Sequence, residues 1–217
     1  KIVELLDELS PEAQLIGAVN TVLNDNGKLI GYNTDGYGFM QSVRDAGHDI
    51  TGKNITVMGV GGASMAICAQ SALDGAASVH IFARRTSRYW NRTQKFAENL
   101  SAKTGCQVCL FDNDDHTALR DSIAQSYLLI NATSVGMVPD FDDTIIKDTS
   151  LFHPELVVAD VVYEPQETRL LREAKAAGCQ TFNGMYMLLH QGAKAFQIWT
   201  GQEMPVSVIK EKYFSVK

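Results

Sequence analysis

The sequence predicts an α/β chain: a doubly wound parallel sheet preceded by the remnant of a smaller α/β unit. From Gly52 onward, apolar runs of strand length alternate with stretches of helix length, the rhythm of right-handed strand–helix–strand crossovers. Two of the runs, residues 127–132 and 156–162, are almost continuously apolar, as strands covered on both faces are. A third run, residues 54–58, stops at Gly59-Val60-Gly61-Gly62-Ala63-Ser64 and passes directly into a helical pattern.

Taken in order, residues 2–9 read as a helix, with Ile2, Leu5, Leu6 and Leu9 on one face. Ser10 and Pro11 end it and open a short second helix as N-cap and first residue. Residues 17–23 read as a strand, Asn24-Asp25-Asn26-Gly27 as a hairpin turn and residues 28–32 as the return strand. Thr34-Asp35-Gly36 then caps a helix whose apolar members are Phe39, Met40 and Val43, and Gly47 stops it. In the second part, strands are read at 54–58, 78–83, 107–111, 127–132, 156–162 and 180–182. Helices are read at 66–73, 90–103, 117–125, 167–177, 185–200 and 206–214, several of them closed by a glycine (Gly75, Gly105, Gly178).

Composition narrows the class. With 217 residues, 45% hydrophobic and 20% charged, the chain can bury a substantial core. Acidic residues outnumber basic ones, 25 to 19, and no basic block occurs, which argues against a nucleic-acid surface. No apolar run approaches the ~18 residues of a membrane span, and no signal-peptide pattern opens the chain. Cys106 and Cys109 form a C-x-x-C, but no second pair follows, and residues three apart on a strand face opposite ways. No metal is expected, and Cys68, Cys106, Cys109 and Cys179 read as reduced thiols of a cytoplasmic protein.

Ligands of open parallel sheets bind beyond the carboxyl ends of the strands, so the residues there are the candidates. After the first strand comes the glycine turn, where unpaired N–H groups and a helix dipole suit a phosphate. Gly59 makes the turn and Gly61 lets a backbone approach a pyrophosphate; the third fingerprint position is Ser64 instead of glycine, so this Rossmann-like motif is partly matched. After the second strand come Arg84, Arg85, Thr86, Ser87 and Arg88 with no acidic residue, a pattern that favours a 2′-phosphate and hence NADP over NAD; a plain solvated loop is the alternative. After the fourth comes Asn131-Ala132-Thr133-Ser134-Val135-Gly136-Met137, suited to the ribose and carboxamide of a nicotinamide. After the fifth comes Tyr163-Glu164-Pro165. His190, alone in an apolar helix, reads as structural more than as a base, and Met187 as packing that could also meet a nicotinamide face. Asn20 and Asp35 end apolar runs where they could face a cleft, although Asp35 could equally be a helix cap.

Six motifs in chain order give a resemblance: Gly17-Ala18-Val19-Asn20-Thr21, Asn33-Thr34-Asp35-Gly36, the glycine turn, residues 131–137, Tyr163-Glu164-Pro165, and Gly184-x-x-Met187-x-x-x-Gln191-Gly192-Ala193. Together they resemble the shikimate dehydrogenase family, in particular its shikimate/quinate branch, over nearly the whole chain. The resemblance implies reversible hydride transfer between NAD(P) and shikimate, giving 3-dehydroshikimate. It implies that Asn20, Asp35, Gln191 and Tyr163 meet the substrate and that Asp35 is catalytic, working with a lysine. It also implies that the cofactor is held by Gly59, Gly61, Gly62, Ala63, Ser64, Arg84, Arg85, Arg88, Thr133, Ser134, Met137, Val161, Gly184 and Met187. Residues 1–49 are then the end of a substrate domain, 50–184 the dinucleotide domain and 185–217 closing helices that pack back toward the first. A small acid is the expected partner, with a homodimer as the candidate assembly.

Two departures accompany it. Ala83 stands where NADP-using members carry Asn. A chain that opens within an element without Met reads as incomplete, and Lys1, about two residues too late relative to Asp7, does not match the family's lysine. The expectation is a dehydrogenase whose upstream part holds that lysine, with the chain as given binding nucleotide but turning over little.

Overall fold

The computed structural model describes residues 2–214 and contains two sheets. The smaller is built from β1 (Glu8–Leu9), β2 (Thr21–Asp25) and β3 (Lys28–Tyr32), in the order β1-β3-β2. β2 and β3 form the expected hairpin; its two loop residues, Asn26 and Gly27, have φ of 52° and 94°, the pair of positive values that a two-residue turn between twisted strands requires.

The helix expected over residues 2–9 does not form. Ile2–Leu5 is a single 3₁₀ turn, and β1 runs parallel to β3. Asp7 explains the change: its N–H donates to the Leu29 carbonyl (2.9 Å) and its carboxylate accepts the Leu29 N–H (2.7 Å), satisfying the open edge of β3 in a way a helix could not. The short helix α1 (Pro11–Ile16) is as expected, with the Ser10 hydroxyl accepting the Ala13 N–H. Gly17 closes α1, so the strand read from residue 17 begins only at Thr21. Helix α2 (Asp35–Asp45) follows β3.

The larger sheet holds β4 (Asn54–Met58), β5 (Ser78–Ala83), β6 (Gln107–Asp112), β7 (Leu128–Asn131), β8 (Val157–Asp160) and β9 (Gln180–Phe182). Their order is β6-β5-β4-β7-β8-β9 and every neighbouring pair is parallel. The helices α3 (Gly62–Leu73), α4 (Trp90–Thr104), α5 (His116–Gln125), α6 (Arg169–Ala176), α7 (Met185–Thr200) and α8 (Val206–Tyr213) complete the chain. Alternation along the strands divides the core in two. Ile55, Val57, Leu128 and Ile130 face one apolar cluster with α2, α3 and α4; Met58, Leu129 and Val158 face another with α5 and α6. This is the doubly wound sheet read from the sequence. The winding reverses between β4 and β7, where a crevice opens.

Helix α2 joins the two parts. It lies against α3 so closely that a Cβ on Gly36 would sit 2.4 Å from the Ala66 carbonyl oxygen. On its other side it packs along α7, where buried His190 places Nε2 3.0 Å from the Asp45 carboxylate. Among the described residues no helix is long and apolar enough to cross a membrane.

Candidate active site

The crevice is built first by the glycine turn. Gly59 has φ 109°, and a Cβ there would lie 2.8 Å from the Thr133 methyl group and 2.9 Å from the Ala132 carbonyl, so only glycine lets β4 turn against the segment after β7. Gly61 and Gly62 face open space, with nothing within 4 Å of a Cβ on either. Gly61 is the N-cap of α3 and no side chain caps it, so the first-turn N–H groups and the positive dipole end meet an open cradle. A dinucleotide pyrophosphate fits this cradle. Ser64 departs from the cofactor role expected of it: it is fully buried and its hydroxyl donates to the Gly59 carbonyl at 2.5 Å, so it braces the turn from inside.

Around the turn lies a cleft of about 600 Å³. Gly61, Gly62 and Ala63 form one wall, Thr133, Ser134 and Met137 a second, and Val161 and Tyr163 a third. The start of α7 seats on that third wall, since a Cβ on Gly184 would lie 2.0 Å from the Val161 carbonyl oxygen. Met187, one turn further on, is buried in the core, so its side chain serves packing first. A smaller hollow of about 130 Å³ continues from Val60, Gly61 and Gly62 to Tyr89, Arg92 and Thr93. Beside it, beyond the end of β5, Arg84, Arg85 and Arg88 are exposed. The Arg85 guanidinium stacks 4.6 Å over Trp90 and that of Arg88 4.7 Å over Tyr89, whose hydroxyl it also bonds at 2.7 Å. Stacking occupies a guanidinium's face and leaves in-plane N–H donors for a phosphate.

On the other side of α2, Asn20, Thr34, Asp35 and Gln191 come together. The Asn20 amide donates to Asp35 Oδ1 (2.8 Å) and to Thr34 Oγ1 (3.0 Å), and its oxygen accepts the Thr34 N–H (3.0 Å). Thr34 Oγ1 in turn lies 3.5 Å from Gln191 Oε1. Asp35 is not the helix cap. Thr34 holds that position with no side-chain bond, and Asp35, one residue inside α2, spends its carboxylate on Asn20. Burial raises the Asp35 pKa above the ordinary carboxylate value and the Asn20 hydrogen bond offsets part of the rise, which suits a group that takes and returns a proton. His190 is tied to Asp45, so it is the structural residue its surroundings suggested. Lys1 lies outside the described residues.

Comparison with known proteins decides the family. Over 209 residues the chain is 53% identical to a shikimate dehydrogenase (NADP+) of Listeria innocua, covering 96% of this chain and 72% of that one. The chain belongs to the shikimate dehydrogenase family. The family's shikimate 5′-dehydrogenase C-terminal domain matches residues 184–212. A quinate/shikimate dehydrogenase of Escherichia coli is 42% identical over 208 residues, 96% of this chain and 72% of that one. Among solved structures, shikimate 5-dehydrogenase of Listeria monocytogenes in complex with shikimate and NAD superposes with a TM-score of 0.94 at 51% identity, over 97% of this chain and 73% of that one.

The shikimate dehydrogenase motifs include Thr34 without giving it a role and leave out Asp160 and Thr168, yet all three shape the site. Thr34 bridges Asn20 and Gln191. Asp160, at the end of β8, is fully buried and accepts hydrogen bonds from Asn131, Val162 and Thr168. Burial pushes its carboxyl up to about 6 against the pull of those three donors. The available signal is a carboxylate closing an otherwise apolar strand, with a helix-capping Thr168 eight residues later.

Proposed function

We propose that the protein is an NAD(P)-dependent shikimate dehydrogenase, interconverting shikimate and 3-dehydroshikimate in aromatic amino acid biosynthesis. The observation that carries this reading is the connected set Asn20–Thr34–Asp35–Gln191. A polyhydroxylated acid offers several hydroxyls, and a cluster of acceptors and donors held by one another can fix them in a single orientation. The dinucleotide, when bound, supplies the acceptor or donor of the hydride. Gly61, Gly62 and Ala63 hold its pyrophosphate, Thr133, Ser134, Met137 and Val161 its nicotinamide half, and Arg84, Arg85 and Arg88 its adenosine end. Asn20 and Gln191 orient the ring hydroxyls, and Tyr163 stands at the lip. In the oxidising direction Asp35, working with the lysine that the resemblance implies, takes up the proton of the reacting hydroxyl as the carbonyl forms, and in the reducing direction the pair returns that proton.

NADP is favoured over NAD because arginines and no carboxylate directly follow β5. Quinate is the second substrate to consider, since one relative is named for both acids. We assign residues 1–49 to the substrate domain, 50–184 to the dinucleotide domain and 185–217 to the closing helices. Four free cysteines, three of them buried, suit the cytoplasm; a homodimer is the candidate assembly, read directly by sedimentation. The test is titration of shikimate and quinate into the dinucleotide-saturated protein, followed by measurement of reduced dinucleotide formed. Saturable binding that Asp35→Ala and Gln191→Ala weaken supports the reading. No binding of either acid would overturn it.

A further inference from the structure

Asp160 touches neither the open cleft nor the cluster around Asp35, yet it is a fully buried carboxylate at the end of a strand whose other members, Val157, Val158 and Ala159, are apolar. Burying an ionisable group in such a strand is unfavourable unless its lone pairs are met. They are met from three directions. Oδ1 accepts the Asn131 amide (3.0 Å) and the Val162 N–H (2.9 Å), and Oδ2 accepts the Thr168 hydroxyl (2.7 Å). Asn131 and Val162 belong to the two segments that wall the cleft, and Thr168 caps α6.

We propose that Asp160 is a positioning residue for the nicotinamide half of the dinucleotide, acting through the orientation it imposes on Asn131. A carboxylate only accepts, so Asn131 must present its NH2 group to Asp160 and its oxygen to the other side. That oxygen accepts both the Thr133 N–H (3.1 Å) and the Thr133 hydroxyl (2.6 Å), and the Thr133 hydroxyl in turn accepts the Val135 N–H (3.1 Å). The Asn131 NH2 also donates to the Val135 carbonyl (3.1 Å). The turn that lines the second wall is therefore drawn onto one amide, whose direction Asp160 sets. The same carboxylate holds Val162 N–H, fixing the backbone beside Val161 on the third wall. An apolar residue at 160 would remove the acceptor that distinguishes the two faces of Asn131. An amide at 160 keeps one oxygen, which can stay toward Asn131 and Val162 while its NH2 group turns to the Thr168 hydroxyl, so the apolar substitution is the informative one.

The inference rests on the cofactor reading above, and calorimetry separates the two. Whichever of NAD+ and NADP+ binds more tightly is titrated into the unsubstituted protein and into Asp160→Leu, alongside the matching adenine half, ADP or 2′,5′-ADP, which lacks the nicotinamide. The expected result is a loss of about tenfold or more in affinity for the whole dinucleotide, with the adenine half unchanged within about twofold and thermal unfolding still cooperative. Equal losses for both ligands, or no loss for either, would overturn the positioning role. No binding of the whole dinucleotide to the unsubstituted protein would instead overturn the cofactor reading. Thr168→Val, which removes the donor to Oδ2, gives the same selective loss in smaller measure and serves if Asp160→Leu does not fold.

Discussion

The Asn20 amide donates to Asp35 Oδ1 across 2.8 Å, linking the residue just ahead of β2 to the first residue of α2. That bond favours the ionised carboxylate, while burial works against it and prevails, leaving the Asp35 pKa raised. Asn20→Ala removes the favourable part, so the pKa moves further up. A base must be ionised to act, so the acid-side fall of kcat/KM for shikimate oxidation moves to higher pH, and the plateau drops by roughly tenfold or more for the lost charge-assisted bond. A pH–rate profile of the variant checks both. An acid limb that stays in place would mean that Asn20 does not act on Asp35.

Gly36 separates the α2 backbone from that of α3, and a Cβ there would lie 2.4 Å from the Ala66 carbonyl oxygen. The obstacle is backbone, which yields only by moving a helix. Gly36→Ala should therefore destabilise the fold by roughly 1–3 kcal/mol, as other insertions into a packed contact do. Since Asp35 precedes Gly36 and α3 carries the glycine turn, the KM for shikimate should rise with it. Denaturant unfolding and steady-state kinetics measure the two effects, and an unchanged midpoint would show that α2 can slide freely on α3.

Much of this architecture is local in origin. The hairpin announces itself at Asn26-Gly27, and the six parallel strands and the glycine turn each lie within a continuous stretch. The residues just beyond each strand are found by applying one rule about strand ends. Residues 2–9 mislead because Ile2, Leu5, Leu6 and Leu9 do fall at helical spacing. The edge of β3 that recruits them starts some twenty residues later, and spacing cannot encode it. Asp160 is hidden for a related reason: its partner Asn131 is distant in sequence and Thr168 caps the next helix, so along the chain it is a single polar residue inside the apolar run 156–162. The meeting of Asn20, Asp35 and Gln191 is expected from the family resemblance, but the Asn33-Thr34-Asp35-Gly36 motif does not say that the Thr34 hydroxyl connects them.

The arginines after β5 set up a direct comparison of cofactors. Arg88 is stacked on Tyr89, which holds its guanidinium at the side of the hollow that leads to the glycine turn. If its remaining donors meet a 2′-phosphate, Arg88→Ala weakens NADP+ binding by about tenfold, the lower end for an exposed charge-assisted bond. NAD+, which has no such phosphate, should bind as before. Calorimetry with both dinucleotides reads this directly; equal losses would place Arg88 on a part that the two share.

Asp160 makes stability depend on pH in a direction opposite to that of most carboxylates. Its folded pKa is raised to about 6 from an ordinary value of 3.8, first because burial disfavours the ionised form. Below the lower value, folded and unfolded chains are both protonated and Asp160 adds no pH dependence. Between the two values the folded protein keeps a proton that the unfolded chain has lost, so raising the pH favours unfolding. Above about 6 both forms are ionised, and the accumulated penalty levels off on the order of 3 kcal/mol. Asp160→Asn does not titrate and escapes that term. The stability of the variant relative to the unsubstituted protein should therefore improve as pH rises from about 4 to about 6.5, by an amount on the order of 3 kcal/mol, and then stay level. Urea unfolding of both proteins across that range measures the difference. A difference that does not change with pH would mean that the buried carboxyl keeps its ordinary pKa, while a gain in stability of Asp160→Asn at neutral pH alongside weaker dinucleotide binding by Asp160→Leu would show that this carboxylate is kept for the site at the expense of the fold.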